Sequence, residues 1–416
     1  MKLWSIKSYF IIICLCLFSL TATAFAQVNK PQIEKNFQQW LENDFWPIAK
    51  ANGISRQTFD SALKNVKINW KLPDLVIPGA APKPQKPQSQ AEFSSPARYF
   101  DEQKIKIIVD GGKKRKSQYE QLLSQIKTRY GVPENIILAI WGRETAYGSV
   151  KIPYDAFEVL ATKAFMATRK EMFQNELLSA LIIVEKNYIN ANELKSSWAG
   201  ALGQPQFMPS SYLKHAVDFD GDGHRDIWQS VPDSLASIAN YLKLEGWDSK
   251  FNWGYEVILP QSVSCALEGP DMRKSLAEWQ QLGVKRADRR SFSNTDLKTP
   301  ASLLMPAGRF GPAFLVTPNF YVIKSYNMSD LYAVYIGHVA DGIGGTPQFF
   351  AKWQNVDVTL RSDVLKIQQY LQKQGYDIGK ADGLAGFKTR RSIGQWQQKN
   401  GLAADCYPSQ KTLKAL

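Results

Sequence analysis

The sequence predicts a mainly α fold with a minor β part (α+β), followed by a small separate unit at the C-terminus. Three observations carry that reading. Apolar residues recur at helical spacing through most of the chain. Only residues 255–259 and 314–322 cluster β-branched and aromatic residues in the manner of strands. Residues 356–416 carry a helix-and-turn pattern of their own. The chain has 416 residues, room for about two to four domains. With 44% hydrophobic and 21% charged residues, it is excluded from the disordered, collagenous and coiled-coil classes.

Taken in order, residues 1–26 have the three parts of an export signal: Lys2 and Lys7, an apolar run, and an A-x-A ending at Ala26. The apolar run is too short for a comfortable membrane span, and an uncleaved anchor is the alternative. Neither Cys14 nor Cys16 follows the small residues of a lipoprotein box. Cleavage removes two lysines and no acid from the net charge of +13, leaving +11. A basic exported chain points to an anionic polymer of a bacterial envelope as partner, rather than nucleic acid. No later run is apolar enough to span a membrane. Cys265 and Cys406 remain, and whether they pair is left open.

Residues 32–62 read as largely helical, with Pro47 expected to break or kink the run. Residues 78–96 hold five prolines and read as a linker or extended crossing. A helix over 118–130 stops at Gly131, and Pro133 opens the next, over 134–147. Further helices are expected over 172–188 and 230–246.

From Ile136 the 134–147 helix is apolar until Arg143-Glu144. One-turn spacing puts Glu144 on a face with Ile140, Trp141 and Tyr147. Such surroundings hold a carboxyl proton tightly, and a protonated carboxyl near neutral pH suits protonation of a glycosidic oxygen. The alternative is a plain ion pair with Arg143 or Lys151. Downstream, residues 197–212 form a dense Gly- and Pro-rich turn segment, in which Ser197 and Gln206 offer hydrogen bonds suited to sugar hydroxyl and acetamido groups. Asp218-Phe219-Asp220-Gly221-Asp222-Gly223 fits the D-x-D-x-D-G pattern of a calcium loop, with His224 giving its backbone carbonyl. Its twelfth position is Gln229 rather than Glu, and a solvated acidic turn is the alternative.

The blocks Gly142-Arg143-Glu144-Thr145-Ala146-Tyr147-Gly148, Ala301-Ser302-Leu303-Leu304-Met305-Pro306-Ala307-Gly308 and Tyr326-Asn327-Met328-Ser329-Asp330-Leu331-Tyr332-Ala333 resemble the lytic murein transglycosylase B family. The resemblance implies a lysozyme-like helical catalytic domain over residues 27–355, with a small inserted β part near 251–320. It implies non-hydrolytic cleavage of peptidoglycan glycan strands to 1,6-anhydro-N-acetylmuramic acid ends, in the periplasm of a Gram-negative bacterium. Glu144 takes the place of the single catalytic acid and base. Ser197, Gln206, Tyr241, Tyr326, Asn327, Tyr332 and Tyr99 match substrate-cleft positions. Asp218, Asp220, Asp222, His224 and Asp233 match a structural calcium site over 218–233, and no organic cofactor is implied. Residues 356–416 resemble a three-helix peptidoglycan-binding domain in which the usual late Asp-Gly is Asp405-Cys406. A hydrolytic muramidase and a non-catalytic wall-binding scaffold are the competing readings.

Overall fold

The computed structural model describes residues 28–78, 95–346, 348–354, 356 and 360–416. The export segment and most of the proline-rich stretch lie outside the described residues. Among the described residues, no helix is long and apolar enough to cross a membrane.

Asn29 caps the first helix, Lys30–Trp40, by accepting from Gln32 N–H at 3.1 Å. Contrary to expectation, Pro47 does not interrupt the run. A π turn, Leu41–Phe45, precedes it and leads directly into the helix Trp46–Ala51. The wider turn accommodates the ring and the missing N–H that strain an ordinary α ladder.

The helix Glu102–Gln118 is absent from the sequence reading, because its mid-helix Gly111-Gly112 resembles a turn. Those glycines provide clearance. A Cβ at Gly111 would lie 2.7 Å from the Tyr147 ring, and one at Gly112 would lie 2.4 Å from Ile343. The next helix, Glu120–Tyr130, ends at Gly131 in the left-handed conformation (φ 74°), and Pro133 precedes Glu134–Thr145 as expected. That helix stops two residues early. Ala146 and Tyr147 both take positive φ, 47° and 63°, so Tyr147 leaves the helical register and does not share the Glu144 face. Its ring instead meets Trp141 edge-on at 5.3 Å, and its hydroxyl donates to the Ile108 carbonyl.

Short strands β1 (Tyr154–Asp155) and β2 (Lys195–Ser196) pair antiparallel. A five-stranded sheet is built from β3 (Gly254–Ile258), β4 (Lys274–Ser275), β5 (Lys285–Arg286), β6 (Pro300–Leu304) and β7 (Ala313–Val316), in the order β4-β6-β7-β3-β5. Its central strands form a wall between two cores. In β7, Phe314 and Val316 belong to the helical core, while Ala313 and Leu315 belong to the core of the β part with Trp279 and Leu276. The period of two along a strand delivers both faces. The strand expected over 314–322 ends at Val316. Thr317 then caps a helix, Pro318–Ser325, accepting from Asn319 N–H. An unbroken apolar run disguises the Thr-Pro start signal.

The C-terminal unit has helices Arg361–Lys373, Phe387–Lys399 and Gln410–Ala415 around Ile367, Leu371, Ile378, Ile393 and Trp396. It is not isolated from the rest. Cys265 of the β part and Cys406 form a disulfide. Cys406 takes the left-handed conformation (φ 56°) at the position where the family pattern has glycine. Arg390, 4% exposed, reaches across to Glu268, which is fully buried.

Candidate active site

Glu144 is the penultimate residue of Glu134–Thr145, a helix whose Ile137, Leu138, Ala139 and Ile140 are all fully buried. The packing anchors the helix, and Glu144 emerges half-buried at its C-terminal end. Four effects act on its proton. Burial raises the pKa of the carboxyl above the ordinary value; the Tyr332 hydroxyl, donating to Oε1 at 2.6 Å, and the nearby Arg143 guanidinium oppose the rise. The negative end of the helix dipole also disfavours the carboxylate. The net result is a carboxyl that keeps its proton to a higher pH than a solvated one.

Arg143 does not pair with Glu144 as a salt bridge among the described residues. Its guanidinium lies over the rings of Tyr99 (5.2 Å) and Tyr335 (4.9 Å) and donates to the Tyr99 hydroxyl at 3.2 Å. Of the carboxylates near in sequence, Asp155 caps the next helix and Glu158 accepts from Asn69. No second carboxylate contributes to the raised pKa of Glu144.

An aromatic shelf continues from Tyr332. Tyr326 lies parallel to it, with ring centroids 6.3 Å apart, and donates to the Pro205 carbonyl at 2.8 Å. Tyr241 packs on Tyr326 at 4.7 Å and donates to the Ser325 carbonyl. Tyr326, Tyr241 and Tyr332 are thereby brought into one cluster with Glu144, and Tyr99 joins through Arg143. Asn327 is exposed immediately after Tyr326. Gln206 is half-buried, with φ 56° and its amide donating to the Gly203 carbonyl. Ser197 is half-buried and accepts from the Ala201 N–H. Neither Ser197, Gln206 nor Asn327 bonds to Glu144.

The residue that joins this segment to the Glu144 helix is Gln204, which the sequence reading passes over. Its side chain accepts from Trp141 Nε1 at 2.8 Å and donates to the Trp228 carbonyl, while its own carbonyl accepts from the Thr145 hydroxyl. The signal available was its place in a Gly-Gln-Pro-Gln run. Which of the two glutamines faces inward is decided only by packing.

In the acidic loop, one oxygen each from Asp218, Asp220 and Asp222 converges within 4.8 Å. Gly221 and Gly223 take positive φ, 80° and 91°, and Asp218 accepts from both their N–H groups. The donor set suits a hard cation. Asp233 is not among the converging carboxylates. It is fully buried and accepts from Phe219 and Asp226 N–H at 2.8 Å each, bracing the loop from beneath.

Residues 36–341 match the transglycosylase SLT domain family, and residues 361–416 match a peptidoglycan binding domain family. The membrane-bound lytic murein transglycosylase B of Escherichia coli (strain K12) is 31% identical over 326 residues, 74% of this chain and 82% of that protein. SltB3 from Pseudomonas aeruginosa, solved in complex with NAG-anhNAM-pentapeptide, is 37% identical with a TM-score of 0.81, covering 91% of this chain and 98% of that one. The E. coli lytic transglycosylase Slt35 in complex with calcium is 28% identical with a TM-score of 0.58, covering 76% of this chain and 95% of that one. With a helical core that presents one shielded carboxyl, and a family match over most of its length, this chain belongs to the lytic transglycosylase SLT family.

Proposed function

We propose that this lytic murein transglycosylase cuts the β-1,4 bond from N-acetylmuramic acid to N-acetylglucosamine, with Glu144 as its single acid and base. Glu144 gives its proton to the bridging oxygen as the bond from C1 to that oxygen breaks. The acetamido carbonyl of the same sugar bonds to C1 and holds the positive charge. The Glu144 carboxylate then takes the proton of the C6 hydroxyl, O6 bonds to C1, and the acetamido group is released. No water enters, and the enzyme ends protonated as it began. The observation that carries this reading is the half-buried carboxyl, raised in pKa by burial and oriented by Tyr332.

Tyr326, Tyr241, Tyr99, Asn327, Ser197 and Gln206 line the glycan path, with flat rings and uncharged polar groups matched to sugar faces and hydroxyls. Residues 218–233 hold a structural calcium ion. Asp218, Asp220 and Asp222 would supply its carboxylate oxygens and His224 a backbone carbonyl, while Asp233 secures the loop. Residues 1–26 direct export to the periplasm and are removed there. The C-terminal unit contributes a second contact with the wall polymer, which raises the local concentration of the catalytic part.

Mass spectrometry of fragments released from purified sacculi tests the reaction. Products lighter by one water than the hydrolytic ones are expected. Reducing-end products of full mass would make the enzyme a muramidase.

A further inference from the structure

The described residues hold a second buried charge cluster, at the seam between the catalytic half and the C-terminal unit, and the proposed reaction does not use it. Arg390 sits at its centre. Its Nε lies 3.1 and 3.0 Å from the two Glu268 carboxylate oxygens, and its Nη2 donates to Glu268 Oε1 at 2.5 Å. Its Nη1 donates to the Ala385 carbonyl at 2.6 Å, and Nη2 also reaches Asp330 Oδ2 at 3.3 Å. The other oxygen of Asp330 pairs with Lys324 at 2.8 Å. Two carboxylates and two cations thus balance. Burial alone raises the Asp330 carboxyl, but Arg390 and Lys324 outweigh it and hold the group below its ordinary range.

Asp330 opens the helix Asp330–Ile343, and Tyr332 stands in the same first turn. A first turn has few backbone bonds of its own to hold it, so side-chain anchors decide where it sits. This turn follows a short exposed loop, in which Met328 is 76% exposed with φ 56°. Besides the core packing of Leu331 and Tyr332, its anchors are the Ser329 cap, which accepts from Tyr332 N–H at 3.1 Å, and the two cations on Asp330. Lys324 lies on the helix that leads into Tyr326, the ring parallel to Tyr332.

We infer that Arg390 is a positioning residue for catalysis: by clamping Asp330 from the C-terminal unit, it holds the Tyr332 hydroxyl on Glu144. The C-terminal unit is then part of the catalytic device as well as a wall anchor. The inference rests on Glu144 carrying the reacting proton. The groups facing Glu144 are Tyr332, Arg143 and Tyr326, with Tyr99 and Tyr335 behind Arg143. Of these, only Tyr332 is tied to the seam through its own helical turn. A supporting residue that lets a first-contact group drift by a fraction of an ångström weakens the site without unfolding it.

The test uses the full-length enzyme and a soluble glycan fragment, so that wall anchoring does not limit the rate. Asp330→Asn keeps the Arg390–Glu268 pair but weakens the clamp. Arg390→Lys keeps a cation for Glu268 but loses the second arm. Tyr332→Phe removes the hydroxyl itself. With the hydroxyl lost or displaced, Glu144 loses an interaction that favours its charged form. The alkaline limb of kcat/KM should therefore move up by about 0.5–1 pH unit. In Asp330→Asn and Arg390→Lys, kcat should fall about 10- to 100-fold with KM nearly unchanged. Asp330→Asn combined with Tyr332→Phe should shift the limb no further than Tyr332→Phe alone. Asp271→Asn loosens the same seam through Arg391 without touching Asp330, and should leave the limb in place. An unmoved limb in Asp330→Asn, or shifts that add in the double variant, overturns the inference. If Arg390→Lys fails to fold, Asp330→Asn is read against Lys324→Met, which removes the other cation and keeps Arg390: a limb that moves as far in Lys324→Met as in Asp330→Asn assigns the clamp to Lys324 and overturns the inference. Retained turnover in Glu144→Gln would instead overturn the reading on which the inference rests.

Discussion

Two glutamates withdrawn from water, the half-buried Glu144 at the end of its helix and the fully buried Glu268 at the seam, begin from the same physics and meet different partners. Withdrawal from water penalises the charge on both. At Glu144 the direct partner is a neutral hydroxyl, and the neighbouring guanidinium of Arg143 is engaged with aromatic rings. At Glu268 the partner is the guanidinium of Arg390 itself, with the Met305 N–H at 3.0 Å as an additional donor. Burial outweighs the opposing partners at both, but Glu144 meets a neutral hydroxyl and is free to exchange its proton in the proposed reaction, whereas Glu268 is riveted to a cation that offsets part of its burial penalty. Burial creates the tension, and the partner decides whether it becomes chemistry or cohesion.

The comparison breaks most visibly at Glu144. Replacing it with Gln should lower turnover by about 10²–10⁴-fold, with the circular dichroism spectrum and sacculus binding retained. Because its folded pKa is raised, the proton bound in the folded state stabilises the protein at low pH, and that contribution is lost as pH rises through the folded pKa. Activity should fall over the same alkaline window, and Glu144→Gln should be relatively more stable above it than the parent.

At the rivet, the ranking of activity and stability reverses. Arg390→Met leaves Glu268 buried and unpaired, and should cost about 3–5 kcal/mol in denaturant unfolding. A loss below about 1 kcal/mol would mean that the seam opens to water.

Burial with no polar partner in the balance is the third case. His338 is 6% exposed, its ring stacked flat on Phe349 at 3.7 Å, and burial depresses its pKa to about 4. The unfolded imidazole takes up protons from about pH 6.5 downward, so the folded state loses stability as pH falls from there to about 4. His338→Phe should flatten that acid-side decline by up to about 3 kcal/mol, read from melting temperatures between pH 7 and 4.

The smallest effect is expected at the acidic loop, whose carboxylates stay near solvent. Removing calcium with a chelator should lower stability by about 1–2 kcal/mol, and restoring calcium should reverse it. No change in melting temperature would leave Asp218, Asp220 and Asp222 as a solvated turn.

Much of this was legible in the chain because it is local. Gly131 ends one helix and Pro133 opens the Glu144 helix, the D-x-D-x-D-G spacing curls three carboxylates together, and Leu235, Ile238 and Leu242 repeat at helical spacing and are all fully buried. The errors arise where a local signal met a distant neighbour. The helix Glu102–Gln118 goes unread, and its Gly111-Gly112 serves as clearance for Tyr147 and Ile343. Tyr147, placed beside Glu144 by helical arithmetic, is carried away by two left-handed residues.

The sequence by itself determined which carboxyl ends an apolar helix, where the acidic loop lies, and that a small helical unit closes the chain, since each follows from residues within a few turns of one another. It took the folded chain to show that Tyr332, 188 residues away, donates to Glu144. The same holds for the pairing of Cys406 with Cys265, and for Arg390 binding Glu268 and Asp330 at once. These contacts form between segments with no periodicity or spacing in common: helix packing within one core brings Tyr332 to Glu144, and the docking of the C-terminal unit on the β part brings Cys406 and Arg390 to their partners.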